Sequence, residues 1–227
     1  MLVRVSVTAM GPATSSWQQI LIFMALASIV LGAVGAIGQT NIKRLLAYSS
    51  INNIGFALIG LAAGTAQGVA AILSYIAIYL VMTLGSFACV LQMRDADGKH
   101  IEDIASLSGL SQTNKPLAAA FAILMFSLAG IPPLFGFWAK FLVFQAAVAA
   151  NLLPLAAIGI AASVIGAYYY LRVIKTIYFD APAAPLRPVQ SYVEASVILV
   201  SSVVLVGGYL LIPLLAVTSN AAAMSLF

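Results

Sequence analysis

Carboxylates are scarce in this sequence. Its 227 residues hold six Asp and Glu, none of them before Asp95, against ten Lys and Arg. Charged residues make up 7% of the chain, where a soluble domain carries about a quarter, so a charged shell around a water-facing core is excluded. A single cysteine, Cys89, excludes a disulfide framework and any Cys-based metal cluster. A single histidine, His100, removes most hydrolase triads, haem sites and zinc sites. Redox cofactors held by side chains therefore have no ligand set here. The formal charge of +4 does not imply a nucleic-acid partner, because the cations are scattered rather than banked on one face. No segment alternates apolar and polar residues over barrel length, which excludes membrane strands.

What the chain does contain is apolar sequence: 63% hydrophobic residues and a mean hydropathy of +1.10. A helix needs roughly 20 apolar residues to cross a bilayer. The stretches 17–38, 51–64, 69–93, 117–131, 134–150, 155–177 and 197–217 read as such helices. The fold expected is an all-α, polytopic transmembrane bundle of about seven spans with one proline-broken region, and the lipid bilayer is its first partner. The second and fourth stretches are short, so their ends must borrow polar neighbours or be buried in protein. Gly32, Gly35 and Gly38 in the first stretch are expected to let another helix approach closely. Residues 1–16 are too short to span and are a poor match to a signal peptide; they read either as a frayed lead-in or as the tail of an incomplete upstream helix. Residues 17–227 form the membrane domain.

Orientation depends on the loops. The long polar loop 94–116 carries Arg94, Lys99 and Lys115 among four acids. Seven complete crossings put it opposite Arg4, Arg172, Lys175 and Arg187. If Lys43 and Arg44 lie inside the protein, the side with Arg172 is the more cationic and therefore cytoplasmic, with the C-terminus outside. If they are ordinary loop residues, the rule decides nothing.

One residue qualifies clearly as a charge inside an apolar stretch, away from the cation-bearing end of 155–177. Lys140, in IPPLFGFWAKFLVFQ, is seven positions after Pro133, roughly 10 Å below a helix start there. Burying a charge at such depth costs about 2.5–3.5 kcal/mol on the mildest scale, which makes an intramembrane amine a functional candidate. Phe137, Trp138, Phe141 and Phe144 are its expected surroundings, and a desolvated amine of this kind is expected to gain and lose a proton at working pH. Snorkelling of the stem to the interface is the plainer alternative. Just upstream, Gly130-Ile131-Pro132-Pro133 stops one helix and restarts another, and Gly136 adds a second soft spot. Broken helices often mark ion paths; a tight turn between two helices is the plainer reading.

Residues 39–56 (QTNIKRLLAYSSINNIGF) are a dense polar run between two apolar stretches. They form either a loop with a cytoplasmic Lys-Arg anchor or a helix carrying Ser49, Ser50, Asn52 and Asn53 into the bundle, where such groups hold water. Tyr168, Tyr169, Tyr170 and Arg172 read as an interfacial belt, with Arg172 or Lys175 pairing to a partner subunit as the alternative. His100 reads as a solvated loop residue, Cys89 as a packing residue, and Glu194 as a carboxylate favoured at a helix N-terminus.

The segments GQTNIKRLLAYSSINNIGF (38–56), SLAGIPPLFGFWAKF (127–141) and GAYYYLRVIKTIYF (166–179) together resemble the subunit N family of NADH-quinone oxidoreductase, the antiporter-like proton-pumping membrane subunits of respiratory complex I. The first two patterns are shared with its sister subunits and with multisubunit sodium/proton antiporters. The tyrosine run and the short C-terminal end are similar to subunit N. The resemblance implies that Lys140 and Lys43 belong to a chain of protonatable residues along the membrane midplane, with the polar run around Lys43 inside the bundle. It implies a membrane subunit of a proton-translocating NADH:quinone oxidoreductase that carries no redox chemistry or cofactor itself. NADH, FMN, iron–sulfur clusters and quinone would lie in the rest of the complex, and the partners would be other membrane-arm subunits of complex I. The setting implied is the bacterial inner membrane, or the mitochondrial inner membrane in a eukaryote. Family members have two inverted repeats, with an essential glutamate in the first; no acid precedes Asp95 here, so this chain resembles the C-terminal half. A sodium/proton antiporter subunit and a non-conducting structural fragment are the alternatives.

Overall fold

The computed structural model describes residues 1–187 and 191–227. Among them every apolar stretch is helical: α1 (Thr14–Ile37), α2 (Ile42–Ala62), α3 (Ala66–Leu91), α4 (Lys115–Ala129), α5 (Phe135–Ala149), α6 (Leu153–Phe179), α7 (Tyr192–Gly207) and α8 (Ile212–Met224), the last two joined by a 3-10 turn, Gly208–Leu211. Residues 2–9 form a helical turn that widens into a π-type turn, and a 3-10 turn at Gly11–Ala13 leads into α1.

Side-chain caps set several of the starts. Asn41 accepts from the Arg44 N–H at 3.1 Å, Thr65 from Gly68 at 3.1 Å and Asn114 from Leu117 at 3.2 Å. Each satisfies an orphan donor of a first turn. The cap at Asn41 explains why α2 begins at Ile42 rather than near residue 51: the polar run is helix, and Ser49, Asn52 and Asn53 are buried inside the bundle. A helix of low apolarity is tolerated there because its polar groups face protein rather than lipid. Close packing of α1 on α2 depends on glycine. A Cβ at Gly32 would lie 2.5 Å from the Asn52 backbone nitrogen, and one at Gly35 would lie 2.4 Å from the Tyr48 ring. Gly38 has open space instead and ends α1, so the expected small-residue contact involves only the first two.

Helices α4 and α5 are 15 residues each, about 22 Å long, against a hydrocarbon core of about 30 Å. They stack end to end along α3. Near the C-terminal end of α3, Leu124 of α4 sits against Gly85. Near its start, Gln67, Ala70 and Ser74 share a cavity wall with Trp138, Leu142 and Gln145 of α5. The two short helices thus complete one crossing between them, and the break at 130–134 lies near its middle.

This pairing changes the parity of the chain and corrects the expected sidedness. Loop 92–114 and the segment after α6 lie on the same end, joined by backbone bonds from Arg187 to Arg94 (3.0 Å), Ala183 to Ser108 (3.0 Å) and Gly109 to Thr176 (3.1 Å). The α1–α2 turn joins them through Ile42 to Glu102 and Ile104 to Thr40, both 2.8 Å. Arg94, Lys99, Lys115, Arg172, Lys175 and Arg187 therefore share one end with Lys43 and Arg44. At the other end, Gln18 donates to the Ala62 carbonyl at 2.7 Å and Thr8 to that of Leu226 at 3.0 Å, with Arg4 the cation nearby. The positive-inside rule, indecisive on sequence, assigns the charged end to the cytoplasm.

Candidate functional site

Gly130 takes a left-handed conformation (φ 80°) at the end of α4, a geometry glycine adopts without Cβ strain. Its N–H and that of Ile131 return to Phe126 and Ser127. The last two carbonyls of α4, those of Leu128 and Ala129, are left to another donor. Lys140 supplies it. Its Nζ donates to Leu128 O at 3.1 Å, Ala129 O at 3.0 Å and Ser163 Oγ of α6 at 3.0 Å. The residue is 7% exposed, and its amine lies 4.9 Å from the centroid of the Phe56 ring. An ammonium has three donors, so all three are matched.

The charge is held without a carboxylate: the acids of the chain lie in the cytoplasmic loops or, for Glu194, in the first turn of α7. Its counter-charge is the negative end of α4, supplemented by a ring face. The sequence predicted an aromatic surround; two carbonyls and a hydroxyl from the break and from α6 were invisible to it. Phe144 and Phe56 pack edge to face at 5.9 Å beside the amine. Trp138 stacks on Phe141, with ring centroids 5.4 Å apart, and reaches Tyr209 on its other side at 6.4 Å.

Gly136 is a close contact rather than a soft spot. A Cβ there would lie 2.0 Å from the Ser127 carbonyl oxygen, and its N–H donates to Ser127 Oγ at 3.1 Å. The start of α5 is thereby clamped beside the end of α4, which fixes the reach of Lys140. Together Lys140 and Ser163 line a groove of about 670 Å³ between α5 and α6, walled by Phe137, Phe141, Phe144 and Val164.

A buried polar cluster lies on the cytoplasmic side of Phe56. Asn53, one turn earlier on α2, donates to Ser49 O at 2.9 Å and Tyr170 OH at 3.2 Å, and accepts from Tyr75 OH at 2.7 Å. Ser49 and Tyr170 share a short hydroxyl–hydroxyl bond. Asn52 donates to Ile29 O at 2.9 Å, tying α2 to α1. Tyr75, inside an apolar stretch of α3 and one turn before Tyr79, carried no sequence signal beyond being a phenol in a span. The expected interfacial belt divides. Tyr168 is exposed, Tyr169 and Tyr170 are buried, and Arg172 donates to Ile37 O at 2.7 Å and to Gln39 O. It thereby caps the C-terminal carbonyls of α1.

Lys43 stands apart from Lys140. It occupies the first turn of α2 at the cytoplasmic end, its side chain 38% exposed, and pairs with Glu102 of the 92–114 loop at 2.6 Å. Asn41 donates to the other carboxylate oxygen at 2.9 Å. The hydrogen bonds from Lys43, then Asn41, hold the Glu102 carboxyl below its ordinary range. The polar run thus enters the bundle only from Ser49 onward, because a helix starting at Ile42 leaves its first turn at the membrane surface. Of the remaining candidates, His100 is exposed in the loop and Cys89 is buried. Glu194 sits in the first turn of α7 and accepts from Gln92 at 2.6 Å.

Residues 1–166 match a family model described as NADH:quinone oxidoreductase/Mrp antiporter, TM. Two relatives named NADH-quinone oxidoreductase subunit N, from Rhizorhabdus wittichii and Sphingopyxis alaskensis, are 64% and 60% identical; each alignment covers 100% of this chain and 48% of the relative. The chain spans about half the length of the curated relatives it matches. A chain of respiratory complex I from Thermus thermophilus superposes with a TM-score of 0.76 at 32% identity, covering 87% of this chain and 44% of that one. A chain of the Mrp complex from a Dietzia species superposes at 0.78 with 23% identity, covering 92% and 47%, a likeness of fold.

Proposed function

The chain belongs to the NADH:quinone oxidoreductase/Mrp antiporter membrane family, and from that premise we propose that it forms part of a subunit N in the membrane arm of a proton-pumping NADH-quinone oxidoreductase, with Lys140 as the residue that takes up and releases the proton. The observation that carries the assignment is the amine of Lys140, buried and held by two helix-end carbonyls and Ser163 with no carboxylate at hand. Its partners are the other membrane-arm subunits, and its setting is the bacterial inner membrane. NADH, FMN, iron–sulfur clusters and quinone act in the rest of the complex, and this chain performs no redox step. Identity to subunit N relatives of 60% and more favours this reading over a sodium/proton antiporter.

Electron transfer elsewhere in the complex alters the charge of groups neighbouring Lys140. Unit charges about 4 Å apart interact by about 1–4 kcal/mol between bulk water and a protein-surface dielectric, enough to change the proton occupancy of a buried amine. Ammonium Lys140 gives its proton to a hydrogen-bonded water or hydroxyl and becomes a neutral amine, which is later reprotonated. Lys43, at the cytoplasmic end of the helix that carries Ser49 and Asn53, serves as the link toward that side. The test is Lys140→Ala in the assembled complex. Proton translocation and quinone-linked turnover fall, while NADH oxidation by artificial acceptors persists; wild-type pumping in the variant overturns the assignment.

A further inference from the structure

The polar cluster and the amine are not in direct contact. Phe56 lies between Asn53 and Lys140 on the α2 side, buried with its ring against the amine, and an aromatic ring carries no proton. On the α6 side, the one side chain hydrogen-bonded to Lys140 is Ser163. Ser163, Gly166 and Tyr170 follow at helical spacing on one face of α6, so Gly166 sits between the hydroxyl that touches the amine and the cluster.

Two observations meet at that glycine. The Tyr169 hydroxyl is buried beside those of Tyr170 and Ser49, yet no well-aligned hydrogen bond reaches it among the described residues, a condition that buried polar groups rarely keep without a bound water or ion. Its neighbours Ser49 and Tyr170 bond to each other instead. The space beside Gly166 faces this same oxygen: a Cβ built there would have Tyr169 OH at 3.7 Å and Asn52 Oδ1 at 3.9 Å as its nearest neighbours. A donor–acceptor hydroxyl and an amide carbonyl oxygen converge on a space that a side chain would fill.

Extending the proposed function, on which this step rests, we propose that Gly166 keeps open a site for one water molecule, held by Tyr169 OH and Asn52 Oδ1, which joins Ser163 and Lys140 to the Asn53–Ser49–Tyr170–Tyr75 cluster. Water donates and accepts, so it passes a proton on as it receives one from the Ser163 side, and nothing else is consumed. Phe56 blocks the direct route, which makes the α6 face the path.

The experiment uses the assembled complex with Gly166→Ala, Tyr169→Phe, Gly38→Ala and Lys140→Met. The methyl of Gly166→Ala makes only ordinary contacts, so folding and NADH oxidation by artificial acceptors are retained, while the rate of proton translocation through this subunit falls roughly tenfold, as expected when one ordinary hydrogen-bonded step is lost. Tyr169→Phe gives the same loss, and Gly38→Ala, with open space around it, gives none. A density map that resolves waters shows a peak within hydrogen-bonding distance of Tyr169 OH in the wild type and none in Gly166→Ala. If Gly166→Ala fails to assemble, Tyr169→Phe and the wild-type map decide. Wild-type pumping in Tyr169→Phe, or no density beside Tyr169, overturns the water site. Wild-type pumping in Lys140→Met overturns the functional reading beneath it.

Discussion

The Lys140 amine lies 3.0 Å from the carbonyl oxygen of Ala129, a residue eleven positions earlier in the chain and on a different helix. That contact exists because α4 ends at a left-handed glycine and α5 restarts beside it, clamped by Gly136 against Ser127. A continuous helix would have used the Ala129 carbonyl internally and left the lysine facing apolar side chains. The break therefore supplies both the midplane position and the neutral acceptors that allow a charge to stand there.

Topology is directly measurable. Lys99→Cys lies at the charged end and Ser225→Cys at the other, both exposed, and native Cys89 is fully buried. A membrane-impermeant thiol reagent is expected to label Lys99→Cys from the cytoplasmic side only and Ser225→Cys from the outer side only. Labelling of both from one side contradicts the single-crossing pairing of α4 and α5.

Gly130→Ala meets two obstacles. The backbone is at φ +80°, and the new Cβ would press on Lys140 Cδ at 2.9 Å. The left-handed conformation alone costs an L-residue roughly 1–2 kcal/mol. The variant is expected to lower the unfolding temperature of the detergent-purified complex and to reduce pumping in the fraction that assembles. Unchanged stability and pumping would show that the break does not position the lysine.

For Glu102 the expected pH dependence follows from the direction of its shift. Its carboxyl is held below the ordinary value of 4.5 by Lys43 and Asn41, so the folded form binds fewer protons than the unfolded chain. The tether between α2 and the 92–114 loop is then fully present above that value and lost as pH falls through the depressed one. Glu102→Gln should therefore unfold earlier than wild type at neutral and mildly acidic pH, the gap closing only below 4.5. A gap that closes near neutrality contradicts the pairing.

Helix positions were legible in the sequence because apolar runs of the right length have few alternatives in a bilayer. Lys140 was legible for the same reason, as a charge near the middle of such a run, where Arg172 and Lys175 stand toward the end of theirs. What held it was not: backbone carbonyls carry no sequence signal, and Ser163, like Tyr75 of the polar cluster, is an ordinary polar residue in an apolar span, where most such residues merely bond their own helix. Orientation failed on one count, the treatment of 117–131 and 134–150 as two crossings, which sent Arg172 and the long loop to opposite sides. Proline and glycine announce a break, but whether the chain reverses or continues there depends on packing against α3. Arg172 and Tyr170 were read as a belt because aromatic and basic residues at a helix end usually are; here α6 turns them inward, onto the end of α1 and the polar cluster.

The central claim is that the Lys140 amine changes protonation during turnover, and Lys140→Arg tests it most directly. A guanidinium keeps the positive charge and hydrogen-bonding capacity but does not release its proton in proteins. The measurement is proton translocation per NADH oxidised in vesicles containing the assembled complex. The account expects Lys140→Arg to assemble, to oxidise NADH with artificial acceptors at the wild-type rate, and to lose most of its pumping. Wild-type pumping in Lys140→Arg would mean that a fixed charge suffices there and would contradict the account.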